Sequence, residues 1–169
     1  MSQINRSNSI WPLPGGSGNY LNTMRWILEK VRPSMPTDDL LDLIVNNFQL
    51  SSRKTAYSYL RVIHDLGLLH VTKDRVEKTQ QGQSYLETHD RKIVEDALFN
   101  RISGTREAVQ VLSKSPMKIG GLFEEMKALG YDRWKTKAQL RYRLHWLQEV
   151  GRIRKVGSNT RPTYEVVQS

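Results

Sequence analysis

The chain has 169 residues, no cysteine and a formal net charge of +9, from 26 Lys and Arg against 17 Asp and Glu. That length fits one medium domain or two small ones, and the lack of cysteine excludes disulfides, thiolate nucleophiles and cysteine-bound zinc together. With 25% charged and 38% hydrophobic residues the composition is that of a globular protein. No apolar run approaches the roughly 20 residues that span a bilayer, and the polar start Met1-Ser2-Gln3-Ile4-Asn5-Arg6 leads into no apolar signal core, so a soluble, cytoplasmic chain without a membrane partner is expected.

In chain order, residues 1–18 contain Trp11-Pro12-Leu13-Pro14-Gly15-Gly16-Ser17-Gly18 and show no periodicity, which predicts a flexible N-terminal arm. Tyr20, Met24, Ile27, Leu28 and Val31 then recur at helical spacing until Arg32-Pro33-Ser34-Met35-Pro36 stops the helix. Thr37 is a good N-cap for a second helix, with Asp38 and Asp39 at its positive end and an apolar stripe of Leu40, Leu41, Ile44, Val45 and Phe48. Ser52 caps a third, with Ala56, Tyr59, Leu60, Ile63 and Leu66 inward, and Gly67 ends it. Leu68-Leu69-His70-Val71, the turn Thr72-Lys73-Asp74 and Arg75-Val76-Glu77-Lys78 read as a hairpin, followed by a short helix near Gln80–Leu86.

A connecting amphipathic helix runs from Asp90 to Arg101. Ala108, Val109, Val111 and Leu112 mark the next helix, broken at Ser115-Pro116. Leu122, Phe123, Met126 and Leu129 form another stripe, ended by Gly130. Thr136 caps a last helix with Leu140, Leu144, Leu147 and Val150 inward and Gly151 as its stop. Residues 153–156 and 163–167 around Gly157-Ser158-Asn159 form a second hairpin. The predicted organisation is an arm at 1–18, a domain at 19–88, a connecting helix at 89–102 and a second domain at 103–169.

The two domains repeat one pattern. A shift of 84 residues superposes Ser52 on Thr136, Leu60 on Leu144, Ile63 on Leu147, Leu66 on Val150 and Gly67 on Gly151, while a shift of 82 superposes Leu40, Leu41 and Ile44 on Leu122, Phe123 and Met126. Amphipathic helices often align by their period alone; agreement of caps, glycine stops and a following hairpin is a stronger signal. The copies differ in charge. Within Arg133–Arg161 nine basic residues face the single acid Glu149, the footprint expected for a phosphate-backbone partner.

The strings Ser51-Ser52-Arg53-Lys54-Thr55-Ala56-Tyr57-Ser58-Tyr59-Leu60 running to Leu66-Gly67-Leu68-Leu69, and Trp134-Lys135-Thr136-Lys137-Ala138-Gln139-Leu140-Arg141-Tyr142-Arg143-Leu144 running to Val150-Gly151-Arg152-Ile153, resemble the recognition helix and wing of winged helix-turn-helix proteins. The second copy also resembles, more loosely, winged-helix modules of restriction and phage-defence proteins. The resemblance implies a mainly α fold with small β-hairpin wings, two tandem winged-helix domains, and binding of double-stranded DNA. A recognition helix turns one face to the major groove. In the second copy this leaves Lys137, Ala138, Arg141, Tyr142 and His145 outward, with Lys135 and Gln139 near the entrance or flank; Arg141 suits guanine, Gln139 adenine if it turns inward, and Lys135 and Lys137 phosphate. In the first copy the outward set is Arg53, Lys54, Tyr57, Ser58 and Arg61, with Ser52 at the helix N-terminus where a phosphate could also sit. The wings add Lys73 and Arg75 in one copy and Arg154, Lys155 and Arg161 in the other. Trp134 and Trp146 fit core packing better than base stacking.

Catalysis is not expected. The one Glu-x-Lys, Glu125-Met126-Lys127, falls within an amphipathic helix, Gly15-Gly16-Ser17-Gly18 lacks the Lys-Ser/Thr of a phosphate loop, and the four histidines are dispersed, so no cofactor or metal is expected either. The expected role is a DNA-recognition protein of a restriction or defence system, alone or within a larger restriction-type assembly, or a transcriptional regulator. The alternative is a protein–protein scaffold, with Tyr57, Tyr59 and the arm around Trp11 facing a protein partner.

Overall fold

The computed structural model describes residues 6–168, which fold as eight helices and six short strands, 54% helix with small antiparallel sheets. Residues 1–5 of the expected arm, and residue 169, lie outside the described part. The chain divides into two compact units: an N-terminal unit of residues 11–97, and a C-terminal unit of residues 98–168 together with residues 6–10. Among the described residues no helix is long and apolar enough to cross a membrane.

In the N-terminal unit α1 (Tyr20–Lys30) buries Tyr20, Met24, Ile27 and Leu28, one stripe of a 3.6-residue period. The Pro-containing stop after it is itself a strand, β1 (Ser34–Pro36). Next, α2 (Thr37–Phe48) buries Leu40, Leu41 and Ile44, and α3 (Arg53–Asp65) buries Ala56, Leu60, Val62 and Ile63. Gly67, at φ +79°, turns the chain into β2 (Leu69–Val71) and β3 (Arg75–Lys78), and α4 (Gln80–Thr88) closes the unit. In α4 a Cβ on Gly82 would lie 2.0 Å from the Leu68 carbonyl oxygen, so only glycine permits this helix to approach the hairpin so closely. Sheet order is β1-β3-β2, with Met35 opposite Val76 and Val71 also opposite Val76. Pro36 costs the sheet no hydrogen bond because β1 is an edge strand.

After α5 (Arg91–Arg101), the order repeats in the C-terminal unit: α6 (Thr105–Lys114), β4 (Met117–Lys118), α7 (Ile119–Ala128), α8 (Ala138–Glu149), β5 (Ile153–Val156) and β6 (Thr163–Val166), with sheet order β4-β6-β5. Each unit thus has a helix, an edge strand, two helices and a hairpin. Capping differs from expectation in two places. Thr37 is the first residue of α2 rather than its cap; it is buried, and its hydroxyl donates to the Thr72 carbonyl (2.9 Å), tying the helix to the hairpin turn. The last helix begins at Ala138, two residues after Thr136, whose hydroxyl accepts the Ala138 N–H at 3.2 Å. Leu129 is 56% exposed and falls past the end of α7, outside the stripe assigned to it.

Of the predicted arm, the stretch from residue 6 to 14 makes packing contacts and hydrogen bonds, while residues 15–18 are exposed. Ser7 bridges Ile102, donating its N–H to the Arg101 carbonyl (2.7 Å) and accepting from Ser103 (2.9 Å). Ile10 is 2% exposed, and its N–H donates to the Gln139 side-chain carbonyl at 3.0 Å. Leu13 is buried too, and the Thr23 hydroxyl donates to the Pro14 carbonyl at 2.6 Å within the N-terminal unit. A further link to residues 6–10 is Arg143, which is fully buried. Its Nε donates to Ser103 O (2.7 Å), Nη2 to Asn8 O (2.7 Å), and Nη1 to Gln139 O (2.9 Å) and Oε1 (2.8 Å), with the guanidinium 4.5 Å from the Trp134 ring centroid. Burial pushes its pKa down to about 10, so the side chain is charged at neutral pH. Beside it Arg6 pairs with Glu107 at 2.9 Å, and the Tyr131 hydroxyl donates to the same carboxylate at 2.9 Å.

Arg143→Ala would leave the carbonyls of Asn8 and Ser103 without that donor and open a cavity beside Trp134. The expected cost to the C-terminal unit is about 3–5 kcal/mol, a fall of roughly 10 °C or more in its unfolding midpoint, whereas Lys127→Ala at the exposed surface should change stability by less than about 0.5 kcal/mol. Denaturant unfolding followed by tryptophan fluorescence measures both; a loss under about 1 kcal/mol for Arg143→Ala would contradict this account.

Candidate functional site

The whole formal charge belongs to one unit. Residues 11–97 carry eleven basic and eleven acidic side chains, while residues 1–10 and 98–169 carry fifteen basic and six acidic, a net of +9. In the C-terminal unit the exposed face of α8 opens into a cleft of about 590 Å³. Lys137, Arg141 and His145 stand on this face at four-residue spacing, which stacks them along one side of a helix. Lys118 from β4 and the first turn of α7 line the cleft as well, as do Lys155 from β5, Arg161 in the loop before β6, and Tyr164. No carboxylate lines it.

Each cation reaches the cleft for a local reason. Leu140, Leu144 and Leu147 bury the opposite side of α8, which fixes the outward direction of Arg141. Lys155 pairs in register with Tyr164 across the β5–β6 ladder and stays exposed. Gly120 and Gly121, the second and third residues of α7, place no side chain in the space; the Lys137 Nζ lies 3.8 Å from where a Cβ of Gly120 would sit. Burial, and then the charges of Lys155 and Arg141, push the His145 pKa below its ordinary value. Tyr164 is pushed up by burial, with Arg141 opposing.

The structure brings Lys137, Arg141, His145, Lys155 and Arg161 of the sequence-derived set together. Lys135 is exposed in the turn before α8, outside the cleft, and Tyr142 is half-buried on the helix flank. Gln139 does not turn to a ligand: its side-chain carbonyl accepts from both Ile10 and Arg143. Arg154 hydrogen-bonds Glu165, its partner in the strand register, which offsets its charge. Lys118 was missed because Ser115-Pro116 reads as a break, and two residues of edge strand leave no pattern.

In the N-terminal unit the corresponding face is neutralised. Arg53 makes a two-pronged pair with Asp42 (2.8 and 2.9 Å), with Asp38 at 3.6 Å, and Arg61 pairs with Asp65 at 3.7 Å. The Ser52 hydroxyl accepts the Thr55 N–H and so caps its own helix. Arg75 donates to the Ser34 hydroxyl at 2.9 Å, and Lys73 is exposed in the hairpin turn. Tyr57 is half-buried. Lys54 and Ser58, with Trp11, Pro12, Thr55 and Tyr59, line a shallow pocket of about 350 Å³. The contrast is sharpest at the second and third residues of α2 and α7: Asp38-Asp39 in one unit, Gly120-Gly121 in the other. Two carboxylates beside the first-turn amides repel an anion that two glycines would admit.

Among the described residues no group of three or more His, Asp or Glu side chains could hold a metal ion, and Glu125 and Lys127 lie exposed on α7. No family model matches the chain, and neither the curated proteins nor the solved structures contain a match to it.

Because the folded state holds the His145 imidazole below 6.5, unfolding takes up a proton in mild acid. The contribution of neutral His145 to stability is therefore complete above pH 6.5 and lost as the pH falls through the depressed value. Unfolding of wild type and His145→Gln across that window should differ in slope, the variant being less acid-sensitive. In NMR titration Arg141→Ala should raise the His145 midpoint, and an unchanged midpoint would remove Arg141 as a cause.

Proposed function

We propose that the chain is a non-enzymatic, cytoplasmic protein that binds double-stranded DNA, built as two tandem winged helices, with α8 and the β5–β6 wing of the C-terminal unit as its DNA-facing elements. The observation that carries this reading is the cleft in which Lys118, Lys137, Arg141, Lys155 and Arg161 converge without a carboxylate, in the unit that holds all of the net charge. Cations gathered without internal partners gain most from a ligand that is itself a row of anions, because each neutralised phosphate releases condensed counterions. The repeated order of helix, edge strand, two helices and hairpin supports the winged-helix reading of both units. DNA recognition in a restriction or defence assembly, or transcriptional regulation, is the role that suits such a binder.

The N-terminal unit has a different assignment. Arg53 and Arg61 are held by Asp42, Asp38 and Asp65, and the unit carries no net charge, so it adds little to DNA affinity. A protein contact is the second reading for it, favoured by Trp11, 50% exposed beside the shallow pocket with Pro12 and Tyr59.

Fluorescence anisotropy with a random-sequence duplex across a salt series tests the proposal. Five phosphate contacts give a slope of log K on log salt near −4.5, since each contributes about −0.9. Lys137→Ala and Arg141→Ala should each weaken binding roughly tenfold, an effect of about 1.4 kcal/mol, and Arg53→Ala should change it less than about twofold. Absent or salt-indifferent binding would sink the reading, and full loss with Arg53→Ala would move the site to the other unit.

A further inference from the structure

The basic surface is concave. Its lining gathers Lys137 just before α8, Arg141 and His145 on α8, Lys118 and the glycines that begin α7, and Lys155 and Arg161 from the wing. A helix with its side chains is about 10–12 Å across and the major groove about 12 Å wide, so a helix reaches base edges only where nothing beside it stands as high. Here residues of β4, α7, β5 and the loop before β6 line the same cleft as Arg141 and His145. A space of about 590 Å³ is large enough for a short sugar–phosphate segment.

We propose that this cleft seats consecutive phosphates of one DNA strand, so that Arg141 engages backbone oxygens and not base edges. The inference rests on the DNA reading above and narrows it from groove recognition to sequence-independent grip. Charge and space agree on this ligand. Five cations line the cleft with no carboxylate among them and repel one another when it is empty, and a run of phosphates is the anion that relieves all of them. A Cβ on Gly121 would meet nothing within 4 Å, so the α7 wall leaves open space, and the lining offers no carboxylate to repel the strand. His145, with Lys137 and Arg141 on its own helix, Lys118 and Lys155 on neighbouring strands, Arg161 on the loop and Tyr164 on β6, serves as an internal reporter. Burial first and the cations second favour its neutral imidazole; a phosphate arriving among these groups opposes the cations, so seating a strand draws a proton onto it.

The test uses the isotope-labelled full chain, titrated in NMR with inorganic pyrophosphate, with a single-stranded oligothymidylate and with a random-sequence duplex. All three should move one set of amides that includes Gly120, Gly121, Arg141 and His145, and each should raise the His145 midpoint. Binding should strengthen from pyrophosphate to the longer strands. Arg141→Ala should weaken every duplex sequence by the same factor, roughly tenfold, in a protein whose dispersed spectrum shows it folded. Pyrophosphate binding more tightly than the oligonucleotide would assign the cleft to a free polyphosphate and overturn the strand. Duplex binding that leaves these amides unmoved, or that prefers one sequence and loses the preference in Arg141→Ala, would overturn the inference while DNA binding itself stood. Failure of all three to bind would remove both.

Discussion

A buried guanidinium must satisfy its donors or leave the interior, and Arg143 does so without a carboxylate in its hydrogen-bond shell. Carbonyl oxygens from Asn8, Ser103 and Gln139 surround it, and Trp134 lies against its face. Three remote parts of the chain are thereby fixed to one another: the segment before the N-terminal unit, the start of α6 and the first turns of α8. A carboxylate partner would have neutralised the charge locally, whereas carbonyl dipoles distribute it, and these come from three segments of the chain. The rotation of α8 about its axis follows from this. Arg143 and Leu140 inward put Lys137 and Arg141 outward, so the buried cation sets the direction of the exposed ones.

The two units show how little sequence change separates a neutral surface from a basic cleft. Topology, strand order and glycine stops are shared. What differs is whether a cation has an acid within reach: Arg53 finds Asp42 across the α2–α3 packing, while Lys137, at the corresponding place before α8, faces Gly120. The field at each site is thus set by the second helix as much as by the third. Charge counted along the chain concentrates in the right half of the molecule but says nothing of this pairing, which joins residues 11 apart in sequence.

Features carried by local periodicity were legible in the sequence. The stripes of α1, α2, α3, α6 and α8, the Ser52 cap, and Gly67 and Gly151 as stops all rest on contacts within a few residues, and they stand where reasoning from period and cap chemistry put them. Features that depend on distant partners were not. The strands β1 and β4 have three and two residues, too few for alternation to register, and exist because β3 and β6 offer them an edge. The segment 6–10 has no stripe; it is held by backbone and guanidinium hydrogen bonds to residues about a hundred positions away. At the candidate site, the cations of α8 and the wing are legible because they cluster in sequence, Lys118 is hidden by a break signal, and the contacts of Gln139 to Ile10 and Arg143 are not legible because they join a segment and a helix face that composition does not link.

The packing of Ile10 and Asn8 against residues 139 and 143 makes the C-terminal unit discontinuous in the chain, with the whole N-terminal unit inserted between its two pieces. Contacts separated by 129 and 135 positions carry a larger loop-closure entropy cost than local ones, which folding of the intervening chain reduces. During synthesis residues 11–97 can fold while residues 6–10 still wait for a helix that emerges from the ribosome some 130 residues later. Until then Ile10 and Asn8 lack the partners that Gln139 and Arg143 supply, so the packing of the first residues is completed by a helix made far later.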